Sequence, residues 1–103
     1  EVVSFTSQLP HALAVALINS DNQKYDTGKY IGDSYRDLTR IANINENLWS
    51  ELFLKNRDHL LASINSFEEQ LDMIKQALYD DDEAKLKEMF IESSLRREKL
   101  EKK

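Results

Sequence analysis

Between Arg57 and Tyr79 the apolar residues Leu60, Ile64, Phe67, Leu71, Ile74 and Leu78 follow one another at alternating intervals of four and three. That spacing draws a single seam along one side of a helix and predicts a helix built to pack against another. Asp80, Asp81 and Asp82 interrupt the pattern. One of these acids is expected to cap a last helix carrying Leu86, Met89 and Phe90, and the others suit its positive N-terminal end. Arg96, Arg97, Lys102 and Lys103 suit the opposite, negative end.

The first segment, Glu1 to about Ser20, is patterned differently. From Ala12 to Ile18 every residue is apolar, which would surround a helix on all sides. Such a helix has to be buried all round, and a small domain has difficulty covering it without a partner chain. Pro10 lies in the same segment and cannot donate to the carbonyl of Thr6, so a kink or a helix start is expected there. The polar stretch Asp21 to Ser34 holds both glycines, Gly28 and Gly32, and reads as the main loop. Ser34 or Asp33 is the expected N-cap of a helix from Tyr35 to about Asn43, and Asn45 of another from Glu46 to about Lys55.

Composition supports this reading. Two glycines and one proline in 103 residues leave little material for the turns of a sheet protein. An apolar share of 41% with 32% charged residues suits a folded chain rather than a disordered one. The expected fold class is therefore all-α, a helical bundle of about five to six helices, in a single domain over residues 1–103. No apolar run is long enough to span a bilayer, and no secretory signal is visible. The absence of cysteine excludes disulfides, thiolate metal sites and a cysteine nucleophile. It agrees with a cytoplasmic location. A net charge of −5 gives no sign of a nucleic-acid binder, and nothing marks a membrane partner or a metal site. The chain opens at Glu1 in a helical pattern, and we read it as part of a longer protein.

A few residues stand out as candidates for chemistry. His11 follows Pro10 beside the most apolar stretch; its default role is a packed core histidine, and its functional one is to offer an N–H to a carboxylate or carbonyl. Asp37 and Arg40 lie three apart on an expected helix, where they read either as a solvated ion pair or as an arginine held by an aspartate and presented to an anion. Trp49, the sole tryptophan, reads first as a core residue packed with Leu48, Leu52 and Phe53. His59 reads as a surface histidine. Gly28-Lys29-Tyr30-Ile31-Gly32 lacks the Gly-Lys-Ser/Thr ending of a phosphate loop. Physics alone stops at a helical, dimeric domain.

The segment Thr6-Ser7-Gln8-Leu9-Pro10-His11, with the alanine-rich helix after it, resembles the region that follows the nucleotide domain in prephenate dehydrogenases. Tyr35-Arg36-Asp37-Leu38-Thr39-Arg40-Ile41-Ala42 is similar to that family's Phe-Arg-Asp-x-Thr-Arg-Ile-Ala motif. Trp49 then stands at the family's distance after the motif, followed by Asn56-Arg57 near the start of a long helix. Two departures are visible. Gln8 occupies a position where many members have histidine. Asp33 and Ser34 stand where the family usually has small residues, in a stretch linked to tyrosine inhibition.

The resemblance implies a C-terminal dimerisation domain of the 6-phosphogluconate-dehydrogenase-C-terminal-like type. The whole enzyme would oxidise prephenate with NAD or NADP, lose the ring carboxylate as CO2 and form 4-hydroxyphenylpyruvate. The nucleotide and the main catalytic histidine would belong to a preceding domain, leaving no catalytic residue and no bound cofactor here. This part would supply a homodimer interface and a share of the substrate pocket. By family position Arg40 would bind a substrate carboxylate and His11 would contact substrate. Asp37, Trp49 and Gly32 would shape the pocket, with Asp37 and Trp49 contributed from a neighbouring subunit. An arginine on the ring carboxylate would stabilise the anion against loss of CO2, so the side-chain carboxylate is the preferred partner of Arg40. The alternatives are an arogenate dehydrogenase domain and a non-catalytic helical interaction or regulatory module.

Overall fold

A computed structural model of the chain describes residues 2–20 and 32–101. The glycine at position 28, and most of the expected loop, lie outside the described residues. Five α-helices are present among the described residues, with no strand: α1 Leu9–Asn19, α2 Asp33–Thr39, α3 Glu46–Lys55, α4 Arg57–Tyr79 and α5 Glu83–Glu101. A π-helical turn, Ser4–Gln8, leads into α1, and a 3-10 turn, Arg40–Ala42, follows α2. None of these helices is long and apolar enough to cross a membrane. Contacts divide the chain into two compact units, Glu1–Asn65 and Ser66–Lys103.

In the first unit, Pro10 stands in the first turn of α1, the expected helix start, although helical backbone already precedes it. The backbone at Val3, before the π turn, is already helical, and the chain passes through the π turn into α1. The N–H of Leu9 bonds to the carbonyl of Ser4, one residue further back than in an α-helix. In an unbroken α-helix the proline ring would press on the carbonyl of Thr6, and the wider turn gives it room. The first element thus holds one residue more than its α-helical equivalent.

The other elements follow their local chemistry. Asn45 caps α3, its Oδ1 accepting from the N–H of Leu48 at 3.0 Å. Helix α2 begins two residues before the expected Tyr35. Neither Asp33 nor Ser34 caps it: its N-cap is Gly32, which supplies no side-chain bond but whose carbonyl accepts from Arg36 at 3.1 Å. Helix α2 and the 3-10 turn both pack on α1. The deepest residues of this unit are Leu9, Ala14 and Leu60, with the polar Ser4 and Gln8 buried among them. Along the apolar stretch of α1 only Ala14 is buried; Ala16 and Ile18 are exposed and the rest are half-buried.

In the second unit the later part of α4 and all of α5 are joined by a tight reversal. Asp81 has φ 50°, in the left-handed region. The N–H of Asp82 reaches back to the carbonyl of Ala77 at 2.8 Å, and that of Asp81 to Leu78 at 3.3 Å. These are the two bonds of a Schellman motif with aspartate where glycine is usual. Asp82 then caps α5, accepting from the N–H of Lys85 at 2.9 Å. Intrahelical pairs such as Arg96–Glu92 and Arg97–Glu101 line the exposed face of α5. Within this unit Ala77 is buried, whereas Leu71 and Leu78 of the seam are exposed, as are Phe90, Ile91 and Leu95 of α5.

The reversal makes a direct test. Asp81→Gly removes the steric cost of a left-handed residue and should raise unfolding stability by up to about 1 kcal/mol, while Asp81→Val should lower it by about 1–2 kcal/mol. Denaturant titration of the two variants checks the order.

Candidate functional site

Helices α1 and α3 approach through side chains that lie one turn apart on each. On the first segment these are Gln8 and His11; on α3 they are Trp49, Leu52, Phe53 and Asn56. The imidazole of His11 lies flat on the indole of Trp49, with ring centroids 3.9 Å apart and planes 21° from parallel. Phe53 makes a T-shaped contact with the same indole, at 6.0 Å and 88°. Contact of this kind suits the charge distribution of aromatic rings. The indole thus touches two rings, and both His11 and Trp49 remain half-buried. The stack forms within one chain, so Trp49 reaches His11 without a second subunit.

The orientation of His11 is fixed from behind as well. Its Nδ1 lies 2.8 Å from the carbonyl oxygen of Ser7. A carbonyl only accepts, so Nδ1 carries the proton and donates. Nε2 is then the nitrogen left for an external group: an acceptor when the ring is neutral, a donor when it is protonated.

Gln8 was not among the residues that patterning singled out, yet it is buried and fully bonded. Its Nε2 donates to the carbonyl of Leu52 at 3.3 Å and its Oε1 accepts from Nδ2 of Asn56 at 2.8 Å. Ser4 Oγ lies 3.3 Å from Ser63 Oγ on α4. Every buried side-chain polar atom among the described residues has a partner. An amide one turn before His11, close to the apolar run, was the only mark it left in the sequence.

Arg40 opens the 3-10 turn that packs on α1, the helix of His11. It is exposed, and none of the ion pairs among the described residues involves it. The anticipated Asp37–Arg40 pairing is not formed. Helix α2 ends at Thr39, whose hydroxyl donates to the carbonyl of Tyr35 at 2.7 Å, and Arg40 begins the 3-10 turn. Asp37 is likewise exposed.

Gly32 has φ −96° and ψ 175°, an extended conformation open to any residue. A Cβ added there would meet nothing within 4 Å. His59 is exposed on α4, as expected, and lines a cleft of about 250 Å³ at the α3–α4 corner together with Lys55 and Arg57. Lys55 is paired with Glu51, and Arg57 with Asp58. No group of three potential metal ligands occurs among the described residues.

The arrangement offers a flat aromatic wall, an oriented imidazole and, on a neighbouring turn, an uncompensated guanidinium. Such a set suits a small anionic ligand with a ring. The chain is 32% identical over 97 residues to the cyclohexadienyl dehydrogenase of Zymomonas mobilis, covering 89% of this chain and 33% of that protein. It is 30% identical over 105 residues to the prephenate dehydrogenase of Lactococcus lactis, covering 98% of this chain and 30% of that one. The solved structure of A. aeolicus prephenate dehydrogenase with hydroxyphenyl propionate and NAD+ superposes with a TM-score of 0.84 at 32% identity, over 96% of this chain and 36% of that one. Synechocystis arogenate dehydrogenase, at 21% identity and a TM-score of 0.86, shares the fold. The chain thus spans about a third of the length of these relatives. Residues 1–92 match the model of the prephenate dehydrogenase dimerisation domain, and the chain belongs to that family.

Proposed function

We propose that this chain is the single C-terminal domain of a cytoplasmic, NAD(P)-dependent prephenate dehydrogenase acting in tyrosine biosynthesis, and that it supplies the homodimer interface and part of the substrate pocket. The whole enzyme would convert prephenate to 4-hydroxyphenylpyruvate and CO2. The observation that carries this reading is Arg40: an exposed guanidinium with no ion-pair partner among the described residues, on a turn packed against the helix of His11. A guanidinium in that state is available to a carboxylate, which it can grip through two parallel bonds. His11 would meet a second polar group of the ligand through Nε2. Trp49 would form the pocket wall, and Asp37 and Gly32 its margin.

The dinucleotide does not fit the residues described here. They offer no glycine-rich turn between a strand and a helix to cradle a pyrophosphate, so the hydride transfer is assigned to residues outside this chain. What this chain contributes is binding, orientation and closure. Arogenate is the second reading. It is favoured by the Z. mobilis relative, whose name specifies only the cyclohexadienyl ring that arogenate shares with prephenate. Assaying the full-length protein with both substrates and both nucleotides tests the proposal: prephenate turnover with release of CO2 is expected, and its absence with either nucleotide would overturn the prephenate reading.

Support for the homodimer comes from apolar surface that the chain leaves uncovered, including Ala16 and Ile18 on α1 and Phe90, Ile91 and Leu95 on α5. Obligate interfaces are built from such surface. Because Ala16 is exposed within its own chain, Ala16→Glu should leave the fold intact. It should weaken the dimer by at least about a hundredfold, since an unpaired charge would be buried on each side. Sedimentation equilibrium with parallel circular dichroism reads both quantities, and an unshifted dimer would place the interface elsewhere.

Arg40→Ala should raise KM for prephenate and leave NAD affinity nearly unchanged. Loss of one partner from a desolvated charge pair costs about 2–5 kcal/mol, or about thirtyfold to several thousandfold in the specificity constant. Arg40→Lys should recover part of this, because a point charge lacks the fork. Unaltered prephenate kinetics in a folded, dimeric Arg40→Ala enzyme would reduce Arg40 to a surface residue.

A further inference from the structure

Gln8 has no part in the chemistry just proposed, yet it is among the most buried polar side chains described, at 5% exposure. Burying an amide is costly unless both of its ends are bonded, and here both bonds go to the last turn of α3. The final carbonyls of a helix have no partner within it. The N–H of Asn56, which would continue the ladder to Leu52, turns instead to Phe53 at 3.3 Å. Gln8 Nε2 supplies Leu52 with a donor, and the Asn56 side chain returns a bond to Gln8 Oε1. His11 lies three residues after Gln8, and Trp49 three before Leu52. The amide bridge and the ring stack are therefore successive rungs between the same two helices.

We propose that Gln8 is a positioning residue: by closing the C-terminal end of α3 it sets the height and rotation of that helix, so that the indole of Trp49 lies flat against His11. The proposal rests on the reading of His11 and Trp49 as ligand-contacting residues. A flat stack falls off steeply with distance, so a small slide or roll of α3 would open it and free the imidazole to turn about its bond to Ser7. A neutral imidazole offers a donor and an acceptor, as the glutamine amide does, so histidine can serve both Leu52 and Asn56. A carboxylate has no donor for Leu52, and leucine has neither function.

The test uses the sole tryptophan of this chain as its probe, because a ring stacked on an indole alters its emission. In the full-length protein, the emission of Trp49 is taken as the difference from Trp49→Phe. Contact with the imidazole should quench it in the wild type, and His11→Ala should abolish that quench. Gln8→Leu should remove at least about half of the quench and raise KM for prephenate about fivefold to tenfold, with kcat and the KM for NAD within about twofold. Gln8→His should restore both readouts and Gln8→Glu neither. Asn56→Ala, a smaller lesion at the edge of the same network, should move both in the same direction and gives the measurement if Gln8→Leu does not fold. A folded, dimeric Gln8→Leu protein that melts earlier but keeps the wild-type quench and KM would overturn the proposal, as would a Gln8→Glu protein indistinguishable from wild type. If the wild type does not turn over prephenate, the substrate reading fails alone, and the quench still decides the role of Gln8.

Discussion

The first unit depends on how one helix end is satisfied. Helix α3 ends at Lys55 and α4 begins at Arg57, and the last carbonyls of a helix have no N–H partner within its regular ladder. A chain can leave such a helix end to water or close it from another element. Here the closing group comes from Gln8, more than forty positions earlier in sequence, and it ties the beginning of the chain to the α3–α4 corner. The Asn56 backbone completes the join: its N–H faces back into α3 and its carbonyl accepts from Leu60 at the start of α4. The ring stack above the bridge then needs no further scaffold than the helical repeat itself.

A second constraint is surface. Only Leu9, Ala14, Leu60 and Ala77 are buried apolar residues among those described, while many large apolar side chains stay exposed. Four such residues are a thin core for the residues described. The apolar positions of α1, α4 and α5 are thus only partly covered among the described residues.

Much of the fold was legible in the sequence because local rules decided it. The bounds of α3 and its Asn45 cap follow from a polar residue placed just before an apolar run. The seam of α4 follows from an unbroken alternation of intervals. The start of α2 was misplaced because a glycine N-cap leaves no side-chain mark, and Asp33 and Ser34 looked like caps when they were helical residues. The response to Pro10 was half-legible: a disturbance was expected, but a wider turn, a kink and a helix start all relieve the same clash. The site was legible as a set of residue types rather than as an arrangement. His11 and Trp49 are 38 positions apart, and nothing local says that they stack. Asp37 and Arg40 are three apart, and spacing alone did not show that they form no ion pair among the described residues. Gln8 was missed because a long-range bridge to a helix end leaves no periodic trace.

The π-helical turn has an evolutionary consequence. A helix with one surplus residue is also a helix from which one residue can be taken away. Deleting a single position within Ser4–Gln8 would shorten the turn to ordinary α geometry and shift everything before it by about 100° around the axis, while leaving α1 and His11 where they are. Without Pro10 the chain would be free to make that change, and the residues on the N-terminal side of the deletion would then face different neighbours. The segment before His11 is thus a place where the direction of a helix face can be reset by the length of one turn.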